Sequence, residues 1–143
     1  MGLLWVSRRW LQAGAFAAIV VFAFSALAEA QAQGQQSFPF GRELRMDARP
    51  LKGSKRVPFL EIGQNGAATI DLWCDSVQGQ FVVAADTVTV LIGQKTQRNC
   101  TSEQARADGE LISALEQATS WKRDGEGVVL VGGRMLRFQP STN

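Results

Sequence analysis

Two cysteines, Cys74 and Cys100, are the only thiols in a chain of 143 residues that contains no histidine. A bond between them would close a loop of 27 residues and join two segments that are far apart in the sequence. Whether that bond forms depends on the compartment, because disulfides persist in oxidising environments and are rare in the cytosol. The cysteine pair therefore constrains the fold strongly only if the chain leaves the cytoplasm.

The start of the chain has the three parts of a secretory signal peptide. Arg8 and Arg9 form a short positive segment, residues 13–27 are almost entirely apolar or small, and small-x-small cleavage sites follow that end at Ala28, Ala30 and Ala32. A retained anchor would need about 20 apolar residues, and this run is shorter. We therefore expect a cleaved signal peptide over residues 1–32, a periplasmic or secreted location, and no stable membrane anchor after processing.

The export signal also divides the chain. Residues 7–11, SRRWL, partly match the twin-arginine signal, so the sequence leaves open general and twin-arginine export. About 111 residues remain after processing, which suffice for one domain with a modest core and are too few for two. The polar, glycine-containing stretch that follows predicts a flexible tether over residues 33–41, before a domain at 42–138 and a C-terminal tail at 139–143.

In an oxidising compartment, a structural disulfide between Cys74 and Cys100 is the simplest interpretation of an even pair of cysteines. A redox-active pair is a second interpretation, although catalytic thiols usually have Cys-x-x-Cys spacing. Metal binding is a third, but two sulfurs without any histidine fall short of a tetrahedral zinc site. We expect neither a metal nor a cofactor.

Most of the remaining chain alternates apolar and polar residues with the period of β-strands. The clearest signal is a hairpin, in which residues 59–62 and 68–72 flank the pair Asn65-Gly66. Further strands are predicted at residues 43–46, 80–83, 87–92, 127–131 and 134–138, the last two joined by a tight turn at Gly132-Gly133.

The period changes after Cys100 to that of a helix, predicted over residues 102–119. Thr101 and Gln104 have the spacing of a capping box. The apolar stripe contains Ala107, Leu111, Leu115 and Ala118, and the polar face is assigned Arg106, Asp108, Glu110 and Glu116. One helix among about seven strands predicts an α+β fold, with the helix packed on an antiparallel β-sheet or open barrel.

Three short motifs occur in the order found in one bacterial family. Residues 74–81, CDSVQGQF, resemble a Cys-Asn-x-Phe-x-Gly-x-Tyr segment; residues 95–100, KTQRNC, resemble a Thr-to-Cys segment; and Glu103 stands where an acidic residue begins the helix. The chain thus resembles META/HslJ-like domains over residues 42–138, and departs from their pattern at Asp75, Val77 and Phe81. The resemblance implies an exported or envelope-associated module defined by structure rather than by reaction, with relatives linked to stress or drug tolerance.

Charge and residue content narrow the classes of function. The processed chain carries 13 basic and 12 acidic residues, and this balance argues against nucleic acid or anionic lipid as a partner. The locally basic stretch at residues 42–56 is interpreted as a solvated edge and loop, with an anionic partner such as a cell-envelope polymer as the alternative. Without histidine there is no Ser-His-Asp triad. Asp71 and Asp75 could form a carboxylate pair on one strand, although two solvent-facing acids are the simpler interpretation.

We therefore predict a non-enzymatic exported domain that acts in envelope maintenance or stress tolerance by binding an unidentified envelope component or protein. Trp73, Asp75 and Trp121 mark a candidate binding surface, although Trp121 is more simply explained as a core residue. Two alternatives stay open. A small periplasmic protease inhibitor would share the export signal, the disulfide and a compact β fold. A lipocalin-like carrier of an apolar ligand would need a cavity, which mutual packing of Ile70, Leu72, Val90 and Leu115 would fill.

Overall fold

A computed structural model describes residues 37–141, so the predicted signal peptide lies outside the described residues. This part of the chain forms eight strands and one helix, in the order β1 (Arg42–Met46), β2 (Phe59–Ile62), β3 (Ala67–Asp71), β4 (Ser76–Ala84), β5 (Thr87–Lys95), α1 (Ser102–Glu116), β6 (Ser120–Asp124), β7 (Gly127–Val131) and β8 (Leu136–Pro140). The predicted α+β class, with an antiparallel sheet and a single helix, is confirmed. The additional strand is β6, which has one apolar side chain and therefore lacks the alternating pattern.

The strands close into a barrel in sequence order, with each strand antiparallel to the next and β8 paired with β1. The hairpin β2–β3 has the register that its sequence predicts, with Leu60 opposite Ile70. Its turn requires glycine at Gly66, because φ there is 80° and a Cβ would collide with the carbonyl oxygen of Phe81. Pairing of β8 with β1 joins the two ends of the domain, which local sequence patterns do not predict.

The helix covers the place where the barrel is weakest. β5 and β6 pair only where both begin, with Thr87 opposite Ser120, because the two antiparallel strands then run apart. Helix α1 connects these strands in the sequence and packs against β5, with Leu111 and Leu115 fully buried in the core. A helix in this position shields a strand edge whose backbone would otherwise be open to another chain.

Helix α1 begins with the predicted capping box. The backbone N–H of Gln104 donates to Oγ1 of Thr101 over 3.2 Å, and the N–H of Thr101 donates to Oε1 of Gln104 over 3.0 Å. The helix ends at Glu116, before the predicted residue 119, because the N–H of Thr119 already donates to the carbonyl oxygen of Val131 on β7. No helix within residues 37–141 is long and apolar enough to cross a membrane.

Apolar side chains fill the interior of the barrel. The four residues around which a lipocalin-like carrier would need space belong to one packed core and are each at most 3% exposed: Ile70, Leu72, Val90 and Leu115. Burial of such side chains is the main favourable contribution to folding. A filled interior at these positions argues against a carrier of apolar ligands.

Both ends of the domain extend further than the sequence analysis placed them. Phe38, in the predicted tether, is buried and packs edge-on against Trp121, with ring centroids 5.2 Å apart. Arg123 also donates through Nη1 to the carbonyl oxygen of Ser37 over 2.9 Å. The prediction of a flexible tether is therefore wrong for its last residues, because their aromatic rings pack into the core. β8 likewise continues to Pro140, into the predicted C-terminal tail.

Candidate functional site

The disulfide between Cys74 and Cys100 is present in the structure, with an S–S distance of 2.05 Å and a Cα–Cα distance of 5.9 Å. Cys74 lies in the turn between β3 and β4, and Cys100 lies two residues before α1. The bond therefore fixes the β3–β4 turn to the start of the helix. We call residues 73–76 together with residues 95–100 the disulfide corner.

Asp75 is the central acid of the disulfide corner and is only 5% exposed. Its Oδ2 lies 2.8 Å from Nζ of Lys95, and its Oδ1 accepts the backbone N–H of Arg98 over 2.9 Å. The bond from Lys95 holds the pKa of Asp75 below its ordinary value, and the Arg98 N–H acts in the same direction. Burial opposes this shift without overcoming it, so Asp75 is a carboxylate near neutral pH.

Two arginines converge on the main chain of the same turn. The carbonyl oxygen of Cys74 accepts hydrogen bonds from Nη1 of Arg56 and from Nη1 of Arg98, each over 3.3 Å. Arg56 also donates through Nη2 to Oδ1 of Asp71 over 3.2 Å. Asp71 and Asp75 are thus neutralised separately, by Arg56 and by Lys95, and do not form the carboxylate pair considered from the sequence.

Asp108 also belongs to this site. The prediction that it lies on the polar face of the helix is wrong, because its side chain is completely buried. Its Oδ1 accepts the N–H of Cys74 over 3.2 Å, and its Oδ2 accepts the N–H of Asp75 over 2.9 Å. The spacing contained the signal, because Asp108 precedes Leu111 and Leu115 by three and seven residues and therefore lies on the apolar stripe.

The three residues of the candidate binding surface do not form one exposed surface. Trp73 and Asp75 lie in the disulfide corner, whereas Trp121 lies on β6 beside the β4–β5 turn, and all three are at most 9% exposed. Trp121 donates through Nε1 to the carbonyl oxygen of Ala85 over 2.8 Å, which holds an alanine with a φ of 54°. If β3 continued through Trp73, its alternation would place this ring on the polar face, but the chain turns there and buries the ring.

The disulfide corner contains atoms that could ligate a metal if the sulfurs were thiolates. Within the described residues, one sulfur from each cysteine and a carboxylate oxygen of Asp75 lie within 4.8 Å of one another. The sulfurs are bonded to each other, however, and Asp75 is bound to Lys95. In this arrangement the three groups hold the turn against the helix instead of presenting open ligands.

Asp75 should make the stability of the domain depend on pH in the acid range. Because its pKa is lower in the folded chain than the ordinary 3.8, the unfolded chain takes up the proton more readily. The contribution of Asp75 is therefore present above about pH 4 and is lost as the pH falls through the lower folded value. We expect Asp75→Asn to be less stable at neutral pH and to lose less stability on acidification, as measured by urea unfolding across this range.

The exposed acid Glu61 on β2 provides the control for this experiment. Glu61→Gln also removes one carboxylate, from a position exposed to solvent. We expect it to keep the acid dependence of the original chain. Equal acid dependence in Asp75→Asn and the original chain would contradict the role assigned to the Lys95 bond.

Comparisons with known proteins identify the family. Residues 40–143 match the family model described as META domain. The fold is similar to an NMR structure of a protein from Burkholderia xenovorans, with a TM-score of 0.57 and 16% identity over 73% of this chain and 84% of that chain. A second NMR structure has a TM-score of 0.55 and 13% identity over 69% of this chain and 88% of its own. No curated protein matches. Because the family model spans most of its length, the chain belongs to the META domain family.

Proposed function

We propose that this protein is an exported, non-enzymatic META domain that acts in cell-envelope maintenance or stress tolerance by binding an envelope component or another protein. The observation that carries the proposal is that the acidic side chains at the disulfide corner already have hydrogen-bond and ion-pair partners within the domain. The carboxylates of Asp75 and Asp108 are already bound to Lys95 and to backbone N–H groups. A general base or nucleophile must be free to reach a substrate, so this arrangement favours a structural role for the site.

The leader and the cysteine pair support the location. A signal peptide at residues 1–32 would deliver the chain to an oxidising compartment, where the bond between Cys74 and Cys100 is stable. The exposed loops and the charged side chains around the buried acids of the disulfide corner are then the parts available to a partner. Binding through such surfaces on a rigid scaffold is common for small β domains.

A complementation experiment tests the proposal. The gene is deleted in its own organism, and survival is measured under detergent, antibiotic and acid stress. We expect the deletion to lower survival and the full chain to restore it, whereas a chain lacking residues 2–32 should fail because it stays in the cytoplasm. The Glu61→Gln variant is the control and should restore survival.

Two results would count against this function. Rescue by the chain that lacks residues 2–32 would contradict an envelope location, and unchanged survival under every stress would contradict a role in tolerance. The purified protein should also be mixed with a panel of secreted proteases. Nanomolar inhibition of any of them would favour the alternative of a protease inhibitor.

A further inference from the structure

The charges of the described residues are segregated, although they nearly balance. The loop between β1 and β2, residues 47–58, contains four basic residues and a single acid, Asp47, at its start. Arg98 lies beside them, because its guanidinium and that of Arg56 both reach the carbonyl oxygen of Cys74. We call these five residues the basic surface: Arg49, Lys52, Lys55, Arg56 and Arg98. The other described residues carry eight basic and twelve acidic side chains, so the rest of the domain is negative.

The loop presents its charge outward. The N–H of Ser54 donates to the carbonyl oxygen of Leu51 over 2.9 Å, which closes a turn at the tip. Gly53 in that turn has a φ of 78°, and a Cβ added to it would have nothing within 4 Å. Lys52 and Lys55 flank the tip and are exposed. The tip therefore projects into solvent with a lysine on each side.

The disulfide corner supports the base of this loop. Arg56 is bound to Asp71, and Asp75 is bound to Lys95, with side-chain exposures of only 15% and 7% for the two acids. Asp71 offsets the charge of Arg56 and Asp75 that of Lys95, so the positive charge that this side of the domain shows to solvent comes from the rest of the basic surface. This positive charge can attract anionic groups of a partner within about one Debye length, which is near 10 Å at moderate salt.

The shape of the basic surface indicates the kind of partner. Arginine and lysine side chains bind phosphate groups well, and arginine does so with two parallel hydrogen bonds. Two grooves on the described surface lie elsewhere, one between α1 and the β7–β8 loop and one between β1 and β8. A projecting tip with a lysine on each side can reach a flat array of phosphates, such as the headgroups of a bilayer.

We propose that the basic surface docks the exported domain onto an anionic phospholipid bilayer. This inference rests on the proposed function, because export brings the domain to a membrane surface from the outside. The loop offers only Pro50 and Leu51 as apolar neighbours of its charges, so the contact is peripheral, electrostatic and sensitive to salt. The nearly balanced net charge of the processed chain argued against anionic lipid as a partner. Net charge does not show, however, that basic residues are concentrated in the basic surface while the rest of the domain is negative.

Vesicle sedimentation tests the proposal with the chain purified from the exported fraction. The vesicles are phosphatidylcholine alone or with about one third phosphatidylglycerol. We expect sedimentation only with phosphatidylglycerol, and its loss when salt rises from about 50 to about 500 mM. Each basic residue near an anionic surface strengthens binding about fivefold, so Lys52→Gln/Lys55→Gln should weaken it by roughly 30-fold.

Lys122→Gln/Arg134→Gln is the matched control, because it removes the same charge from two exposed positions outside the basic surface. We expect it to keep most of the binding. Equal weakening by the two double variants, or no sedimentation with phosphatidylglycerol, overturns the proposal. Binding of soluble polyphosphate without binding of vesicles also overturns it, in favour of an anionic polymer. None of these results depends on survival of the deletion strain, so failure of lipid docking and failure of the proposed function are separate outcomes.

Discussion

Replacing Cys74 with serine should lower the free energy of unfolding by about 3–4 kcal/mol. In the chain-entropy account, the bond removes freedom from the unfolded chain by closing its loop of 27 residues, and a loop of this length gives an effect of this size. Domains of this class are stable by only about 5–15 kcal/mol, so the loss is a large share of the total. Urea unfolding of the exported protein, with and without a dithiol reductant, measures the effect.

The cysteine pair provides its own controls. Cys100→Ser and the double variant Cys74→Ser/Cys100→Ser should be as unstable as Cys74→Ser, because each breaks the same bond. The original chain in reductant should match them. Equal melting temperatures of the original chain with and without reductant would refute the prediction, and would mean that hydrogen bonds alone hold the β3–β4 turn.

Local signals in the sequence predicted the local structure well. The Asn65-Gly66 turn and the Thr101 capping box are each determined by a few neighbouring residues, and both occur where predicted. The alternation of Val88 and Val90 with exposed threonines likewise predicted β5, since one face of that strand is buried. The bond between the two cysteines could be predicted from their number and from the expected oxidising compartment, without knowledge of the distance between the two residues.

Features that depend on distant parts of the chain could not be predicted in this way. β6 is a strand because it pairs with β7, where Trp121 lies opposite Leu130, and its own sequence is mostly polar. Phe38 follows polar residues, yet the barrel provides a site for its ring next to Trp121 and Phe81. The alternation along β3 would place Trp73 on the polar face only if the strand continued past this residue. The chain turns at Cys74 instead.

Replacing Asp108 with alanine should destabilise the domain almost as much as loss of the disulfide, by about 3–4 kcal/mol. The carboxylate is fully buried and accepts the N–H groups of Cys74 and Asp75. Each buried backbone donor left without an acceptor costs about 1–3 kcal/mol. Asp108→Asn keeps one acceptor oxygen and should lie between alanine and the original chain. Urea unfolding of both variants measures these losses.

Exposed Glu110 on the same helix is the control, and Glu110→Ala should change stability by less than about 0.5 kcal/mol.

Asp108 and the disulfide hold the same turn against α1, so their effects should not add. Once the bond between Cys74 and Cys100 is broken, the turn can move and its N–H groups can reach water. Asp108→Ala should therefore cost less in the Cys74→Ser background than in the original chain. Fully additive losses would show that the carboxylate and the disulfide stabilise separate parts of the domain, contrary to the geometry of the turn that they share.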